Sequence, residues 1–287
     1  MFASLWRRMT RGVERNVRSE RYRSMLPDDL ETKVMAIESS DRYHAKQGRS
    51  TARVRFESGS GTLSVYLKRH YTLGWRDRVS TWLDPSEWRS PAGIERANLD
   101  RARALGIDVP DWVAAGERIV PGEPATSYLM IAELVGFEPL HEAIPKLEAE
   151  LDAARFERVK RALAAEVAAI SARLHAANFY HKDLYLCHFF LDMSTFDNKH
   201  PRISLIDLHR LERSSRPSRR GVAKDLGQLL FSTRGVAGIG DRDRLRFWSR
   251  YRKASGLRRP RGIARVVVWK AARYEAHNRK AERGTKT

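Results

Sequence analysis

A chain of 287 residues with 42% hydrophobic content can bury a substantial core, as one two-lobed domain or two smaller ones, which excludes a disordered protein. The single cysteine, Cys187, excludes an intramolecular disulfide and a thiolate zinc cluster and favours a reducing compartment. The net charge of +19 gathers in residues 1–24, 210–224 and 250–287 around a nearly neutral body. That distribution points to a polyanionic partner, whether glycolipid, membrane surface or nucleic acid, unless it serves solubility alone.

Phe2, Leu5, Trp6, Met9, Val13 and Val17 recur at three- and four-residue steps opposite Arg7, Arg8, Arg11, Arg15 and Arg18, so residues 1–24 read as a basic amphipathic helix. Such a helix either lies in a membrane interface or packs on its own domain. No apolar run approaches the roughly 20 residues of a membrane span, and arginines interrupt the place where a signal peptide needs its apolar core. Pro27, Asp28 and Asp29 then open the folded body. Strands are expected over Thr51–Glu57 and Leu63–Lys68, joined by Ser58-Gly59-Ser60-Gly61. Upstream, Gly48 marks a turn that either folds its backbone N–H groups over phosphates or merely joins two strands. Lys68 ends its strand as a phosphate-contacting lysine would, and Glu95, opening a helical pattern with Leu99, Ala102 and Leu105, is placed to pair with it.

Gly106 closes that helix. Tyr128–Ala132 reads as a buried strand running into Glu133, which is either a hinge whose backbone meets a nucleotide base or a core strand followed by a turn. From Leu151 to Leu174 a long helix carries Phe156, Val159, Leu163, Val167, Ile170 and Leu174 at core spacing.

The next stretch, His181-Lys182-Asp183-Leu184-Tyr185-Leu186-Cys187-His188, is followed by Leu205-Ile206-Asp207-Leu208-His209. An acid in a loop can accept a proton from an attacking hydroxyl, and a second acid ending an apolar strand can hold Mg²⁺ against ATP phosphates; phosphoryl transfer asks for both. Beyond Asp207, the arginines at 210, 213, 216, 219 and 220 would draw an anionic acceptor, sugar or acidic protein alike. The tail past Gly256 carries Ile263, Val266, Val267, Ala271 and Tyr274 on one face. A helix to about Tyr274 and a disordered basic end are expected there, with anionic lipid as a candidate contact.

Phe179 to Leu191 and Leu205 to Arg210 resemble the paired signatures of the lipopolysaccharide core kinases, the Kdo/heptose kinase family of Gram-negative bacteria. The likeness takes in Tyr66-Leu67-Lys68, Gly74-Trp75, Glu95, Lys224-Asp225-Leu226 and Phe231-Ser232. It implies an α+β, protein-kinase-like two-lobed fold: a small, mainly antiparallel β N-lobe over 25–134 and a larger helical C-lobe over 135–256, flanked by the helix of 1–24 and a basic helix and tail over 257–287. It implies ATP and Mg²⁺ as cofactors and transfer to a sugar hydroxyl of the lipopolysaccharide inner core, the first heptose in particular. By position, Asp183 becomes the catalytic base and Asp207 a metal ligand. His188 joins the metal or the phosphate, or else stabilises the loop by bonding to backbone. Lys68 and Glu95 clamp the nucleotide, with Gly48 and Glu133 beside it. Arg210, Arg213, Arg216, Arg219 and Arg220 receive the acceptor, and Asp225 bonds the backbone of the catalytic loop. Lys182 stands where the family usually has arginine, and His209 where protein kinases have glycine, which suggests a strand that does not flip. The implied partners are the core/lipid A glycolipid and an anionic membrane surface, with the protein peripheral on the cytoplasmic side of the inner membrane. No nucleic-acid motif accompanies the basic patches. The alternatives are a kinase-fold phosphotransferase acting on another small molecule or on protein, and an inert kinase-like binding module.

Overall fold

Alternating burial builds the first unit of the computed structural model, in which residues 12–38, 42–46, 48–59, 61–75, 79, 88–194, 200–257 and 260–284 are described. Its strands are β1 (Val13–Arg18), β2 (Arg42–Lys46), β3 (Arg49–Ser58), β4 (Gly61–His70), β5 (Trp112–Ile119) and β6 (Thr126–Ala132). A 3₁₀ turn at Glu20–Met25, a short helix α1 (Leu30–Lys33) and the longer α2 (Pro91–Ala104) accompany them. The strands pair antiparallel in the order β1-β5-β6-β4-β3-β2. On β4, Leu63, Val65 and Leu67 point into a core shared with Leu30, Val34, Val113 and Met130. Arg69 continues that inward row and is 1% exposed. Its charge is met by the carbonyls of Ile37 at 2.6 Å and Met35 at 3.3 Å and by Ser50 Oγ at 3.1 Å. Because strand side chains alternate, Lys68 lies on the opposite face of β4.

Val13 and Val17 lie in β1, not on a helix. The strand runs antiparallel to β5, with Val13 opposite Ile119 and Arg18 opposite Ala114. A spacing of four satisfies a strand's period of two as well as a helical turn, and what decides is tertiary: Arg15, on the same face as both valines, reaches the buried Glu117 at 3.3 Å. The remainder of the expected amphipathic helix, including Phe2, Leu5, Trp6 and Met9, lies outside the described residues.

The second unit begins at Val135 and also takes in residues 102–109. It contains β7 (Phe137–Pro139), α3 (Leu140–Glu150), α4 (Ala153–Ala176), β8 (Phe179–Tyr180), β9 (Phe189–Asp192), β10 (Ile203–Leu205), β11 (Glu212–Arg213), α5 (Arg219–Ser232), α6 (Asp241–Ser255) and α7 (Pro260–Gly284). Asp152 caps α4 by accepting from the Arg155 N–H at 2.9 Å. Val222, Ala223 and Leu226 of α5 pack with Tyr251 of α6 and with Ile263 and Val267 of α7. The tail is therefore part of this unit's core. Its helix continues past Tyr274 to Gly284 in place of the expected disordered end, since no glycine or proline interrupts residues 275–283. Among the described residues, no helix is long and apolar enough to cross a membrane.

Gly221, in the first turn of α5, lets the helix settle against Tyr180, whose hydroxyl accepts from the Ser218 N–H at 2.7 Å. A Cβ at Gly221 would stand 2.5 Å from Tyr180 Cδ1. Gly221→Ala is expected to destabilise the protein by about 1–3 kcal/mol. Gly262→Ala, where an added Cβ meets nothing within 4 Å, should be neutral or stabilising. Thermal melts of the two variants check the contrast.

Candidate active site

In the first unit, Lys68 Nζ bonds Glu95 Oε1 at 2.6 Å. Glu95 is buried in α2, which begins at Pro91, a turn ahead of the expected start. A buried carboxylate beside a partly exposed ammonium fixes the lysine in place as a cation that can attract an anion. Gly48 closes the β2–β3 turn with φ +73°, and a Cβ there would meet Thr72 Oγ1 at 2.6 Å, so the turn requires glycine for its own geometry. Glu133 is committed elsewhere: its carboxylate takes Arg53 at 2.7 Å and its N–H donates to Ser64 O at 2.9 Å.

In the second unit the loop between β8 and β9 is held from α5. Asp225, fully buried, accepts the N–H of His181 at 2.7 Å and of Lys182 at 2.9 Å, and meets His175 Nε2 at 3.3 Å. Lys182 sits in the left-handed region, with φ 67°. Its side chain pairs with Glu212 of β11. Asp183 carries its carboxylate at the loop's centre, where Arg210 Nη1 donates to Oδ1 at 3.1 Å and Oδ2 at 2.8 Å. Gln228 Nε2 approaches Oδ1 at 3.3 Å.

His188 donates through Nδ1 to the Asp183 carbonyl at 2.7 Å, so it does bond backbone as one of the two readings expected. That bond fixes the tautomer and turns the Nε2 lone pair outward, 3.8 Å from Asp207 Oδ2. Asp207 itself is left-handed, with φ 61°, and its Oδ1 accepts from His209 Nδ1 at 2.7 Å. A neutral imidazole nitrogen and a carboxylate oxygen at that separation can share a divalent cation. Among the described residues no group of three or more His, Cys, Asp or Glu could hold a metal, so such an ion would complete its shell with phosphate oxygens and water, as Mg²⁺ commonly does.

The arginines separate. Arg210 is on Asp183; Arg213 lies over the Phe179 ring at 5.9 Å; Arg216, Arg219 and Arg220 are exposed, the last two in the first turn of α5. Sequence reasoning missed the contacts of Arg210, His209 and Gln228 with the two acids. It gave Lys224 no role; its ammonium is pushed down, chiefly by burial and next by Arg210, while Asp183 and Asp225 oppose the shift.

His181 is fully buried and donates through Nε2 to Ile206 O at 3.1 Å. Burial pushes its pKa down from 6.5 to about 4. The unfolded chain therefore binds the extra proton first, and folding stability is expected to fall as pH drops from about 6.5 towards 4. Unfolding free energies measured across that window should decline, and the decline should be shallower in His181→Phe.

With this geometry in place, the sequence profile of the lipopolysaccharide kinase (Kdo/WaaP) family matches residues 38–251. The lipopolysaccharide core heptose(I) kinase WaaP of Pseudomonas aeruginosa is 29% identical over 248 residues, covering 81% of this chain and 84% of that one. Its Escherichia coli counterpart is 41% identical over 206 residues, covering 69% and 73%. A solved structure described as WaaP in complex with acyl carrier protein superposes with a TM-score of 0.66 at 27% identity, over 91% of this chain and 98% of that chain.

Proposed function

The chain belongs to the lipopolysaccharide kinase (Kdo/WaaP) family, with its α+β protein-kinase-like fold, and we propose that it transfers a phosphoryl group from Mg²⁺-bound ATP to a hydroxyl of the first inner-core heptose. The enzyme is a lipopolysaccharide core kinase. The observation that carries the finer reading is the different equipment of two acids a short way apart in the second unit. Asp183 is surrounded by donors and cations and offers a carboxylate to a hydroxyl proton. Asp207, beside the outward lone pair of His188, is suited to a metal.

Mg²⁺, when bound, offsets charge on the phosphoryl oxygens. Lys68, steadied by Glu95, would hold donor phosphates. Asp183 would orient the heptose hydroxyl and accept its proton, and Asp225 keeps the backbone beneath that step from moving. Arg219 and Arg220 add their charge to the positive end of α5, an arrangement unfavourable to the helix alone and attractive to an anionic acceptor. An acidic, phosphorylated glycolipid fits this better than a cationic small molecule does. An acceptor with a lipid end, together with ATP as donor, supports a peripheral position on the cytoplasmic face of the inner membrane.

The test is incubation with Mg·ATP and core-truncated lipopolysaccharides, with the product read by mass. Phosphate gained only when the first heptose is present supports the assignment. Asp183→Ala should lower turnover by roughly 10²- to 10⁴-fold while leaving the melting temperature near that of the parent protein. Near-normal turnover in that variant would remove Asp183 from the role.

A second partner has support of its own. Unit two holds an apolar cavity of about 570 Å³ lined by Leu163, Val167, Leu226, Leu229 and Val267, with Lys160 and Arg234 also in its wall. Its size and lining suit an alkyl chain, each buried methylene contributing about 0.8 kcal/mol. The solved relative was captured with acyl carrier protein. We expect acylated carrier protein to raise the melting temperature more than the unacylated form, and the difference to vanish in Ala264→Trp, which fills the cavity.

A further inference from the structure

Gln228 projects from α5 one turn beyond Lys224 and three residues after Asp225, so the helix face that braces the loop backbone also reaches the loop's acid. The side chain is only 2% exposed. Its amide nitrogen lies 3.3 Å from Asp183 Oδ1 and 3.2 Å from the Tyr185 hydroxyl. A carboxylate can only accept, so the nitrogen is the atom turned towards Asp183, and its two hydrogens serve Asp183 and Tyr185. The amide oxygen then faces the interior without a hydrogen-bond partner. Leaving a buried carbonyl unmatched costs stability, and flipping the amide would set that oxygen against the carboxylate. The orientation is thus dictated by Asp183.

Arg210 holds the same carboxylate differently. It bonds both oxygens, more closely at Oδ2, yet its side chain is 49% exposed and lies in the cationic segment suited to an anionic acceptor. An exposed arginine can exchange partners at little cost, and a buried glutamine between two fixed groups cannot.

We infer that Gln228 is a positioning residue for the transfer reaction: it fixes Oδ1 of Asp183, so that Oδ2 is the oxygen that takes the acceptor's proton when Arg210 moves onto the substrate. The inference rests on Asp183 being the base. In that step the O–H bond of the hydroxyl breaks, its proton goes to Oδ2, and the electron pair left on oxygen forms the new bond to phosphorus while the bond to the departing ADP oxygen breaks.

The experiment uses the full chain with Mg·ATP and a heptose-bearing core acceptor. Gln228→Met, which keeps the shape and removes the donor, is expected to lower kcat by about 10- to 100-fold with both KM values within about twofold. Placed on Asp183→Asn it should cost nothing more, because two residues acting through one step are not additive. A merely structural role predicts that the losses multiply, and that result, or an unchanged kcat in Gln228→Met, would overturn the inference. Gln228→Leu, equally unable to donate, should show the same kcat loss should Gln228→Met not fold. A readout without turnover separates this inference from the proposed reaction. In ¹⁵N-glutamine-labelled protein the Gln228 side-chain NH₂ resonances should move when Asp183 becomes asparagine, whatever the acceptor proves to be. Resonances that stay in place would refute the contact.

Discussion

The carboxylate of Asp225 is the point on which the site turns. It is buried on α5, accepts two consecutive backbone N–H groups from the loop after β8, and is backed by His175, whose other nitrogen meets the Tyr251 hydroxyl at 2.8 Å. Hydrogen bonds to a charged acceptor contribute about 1.5–3 kcal/mol each, enough to offset burial and to hold Lys182 in a left-handed conformation that a non-glycine residue avoids. Were that brace absent, the loop would have no reason to keep Asp183 where Gln228 and Arg210 find it.

From this fixed backbone the neighbours give two aspartates different surroundings. Asp183 receives donors on both oxygens from Arg210 and Gln228, with the Lys224 ammonium nearby. Asp207 is met instead by His209 on one oxygen, leaving the other near a lone pair of His188. His181 lies in the stack behind, its ring 5.6 Å from that of His188, and stays neutral because it is buried. In the proposed assignment it is environment, not residue type, that would divide base from metal ligand.

The loop and the second acid were legible because each sits in a short motif, and Asp225 because the family resemblance gives it that place. Lys68 was legible from its strand, and Glu95 from the helical pattern that follows it, although α2 begins a turn earlier than that pattern suggests. What escaped reading depended on contacts distant in sequence. Gln228 meets Asp183 across 45 residues, and nothing local in Asp225-Leu226-Gly227-Gln228 marks that glutamine as functional. β1 was mistaken for helix because its two valines fit both periods and the deciding partner, Glu117, lies far along the chain. α3 was not foreseen, and Pro145 inside it explains why a helical pattern there reads weakly.

The segment after Asp207 completes the argument, because a kinase loop must be ordered before it can receive an acceptor. Here a short strand supplies that order. β11 pairs with β8, setting Glu212 opposite Tyr180 and Arg213 opposite Phe179, and the Lys182 ammonium pairs with Glu212 itself. Where regulated kinases rely on an added phosphate to engage the basic residue before the catalytic acid, this chain encodes a carboxylate at that place. Lysine suffices for a single carboxylate, whereas the planar fork of arginine is suited to the several oxygens of a phosphate. The lysine at 182 and the glutamate at 212 thus join the loop after β8 to the segment after Asp207 by a charge pair as well as by the β8–β11 ladder.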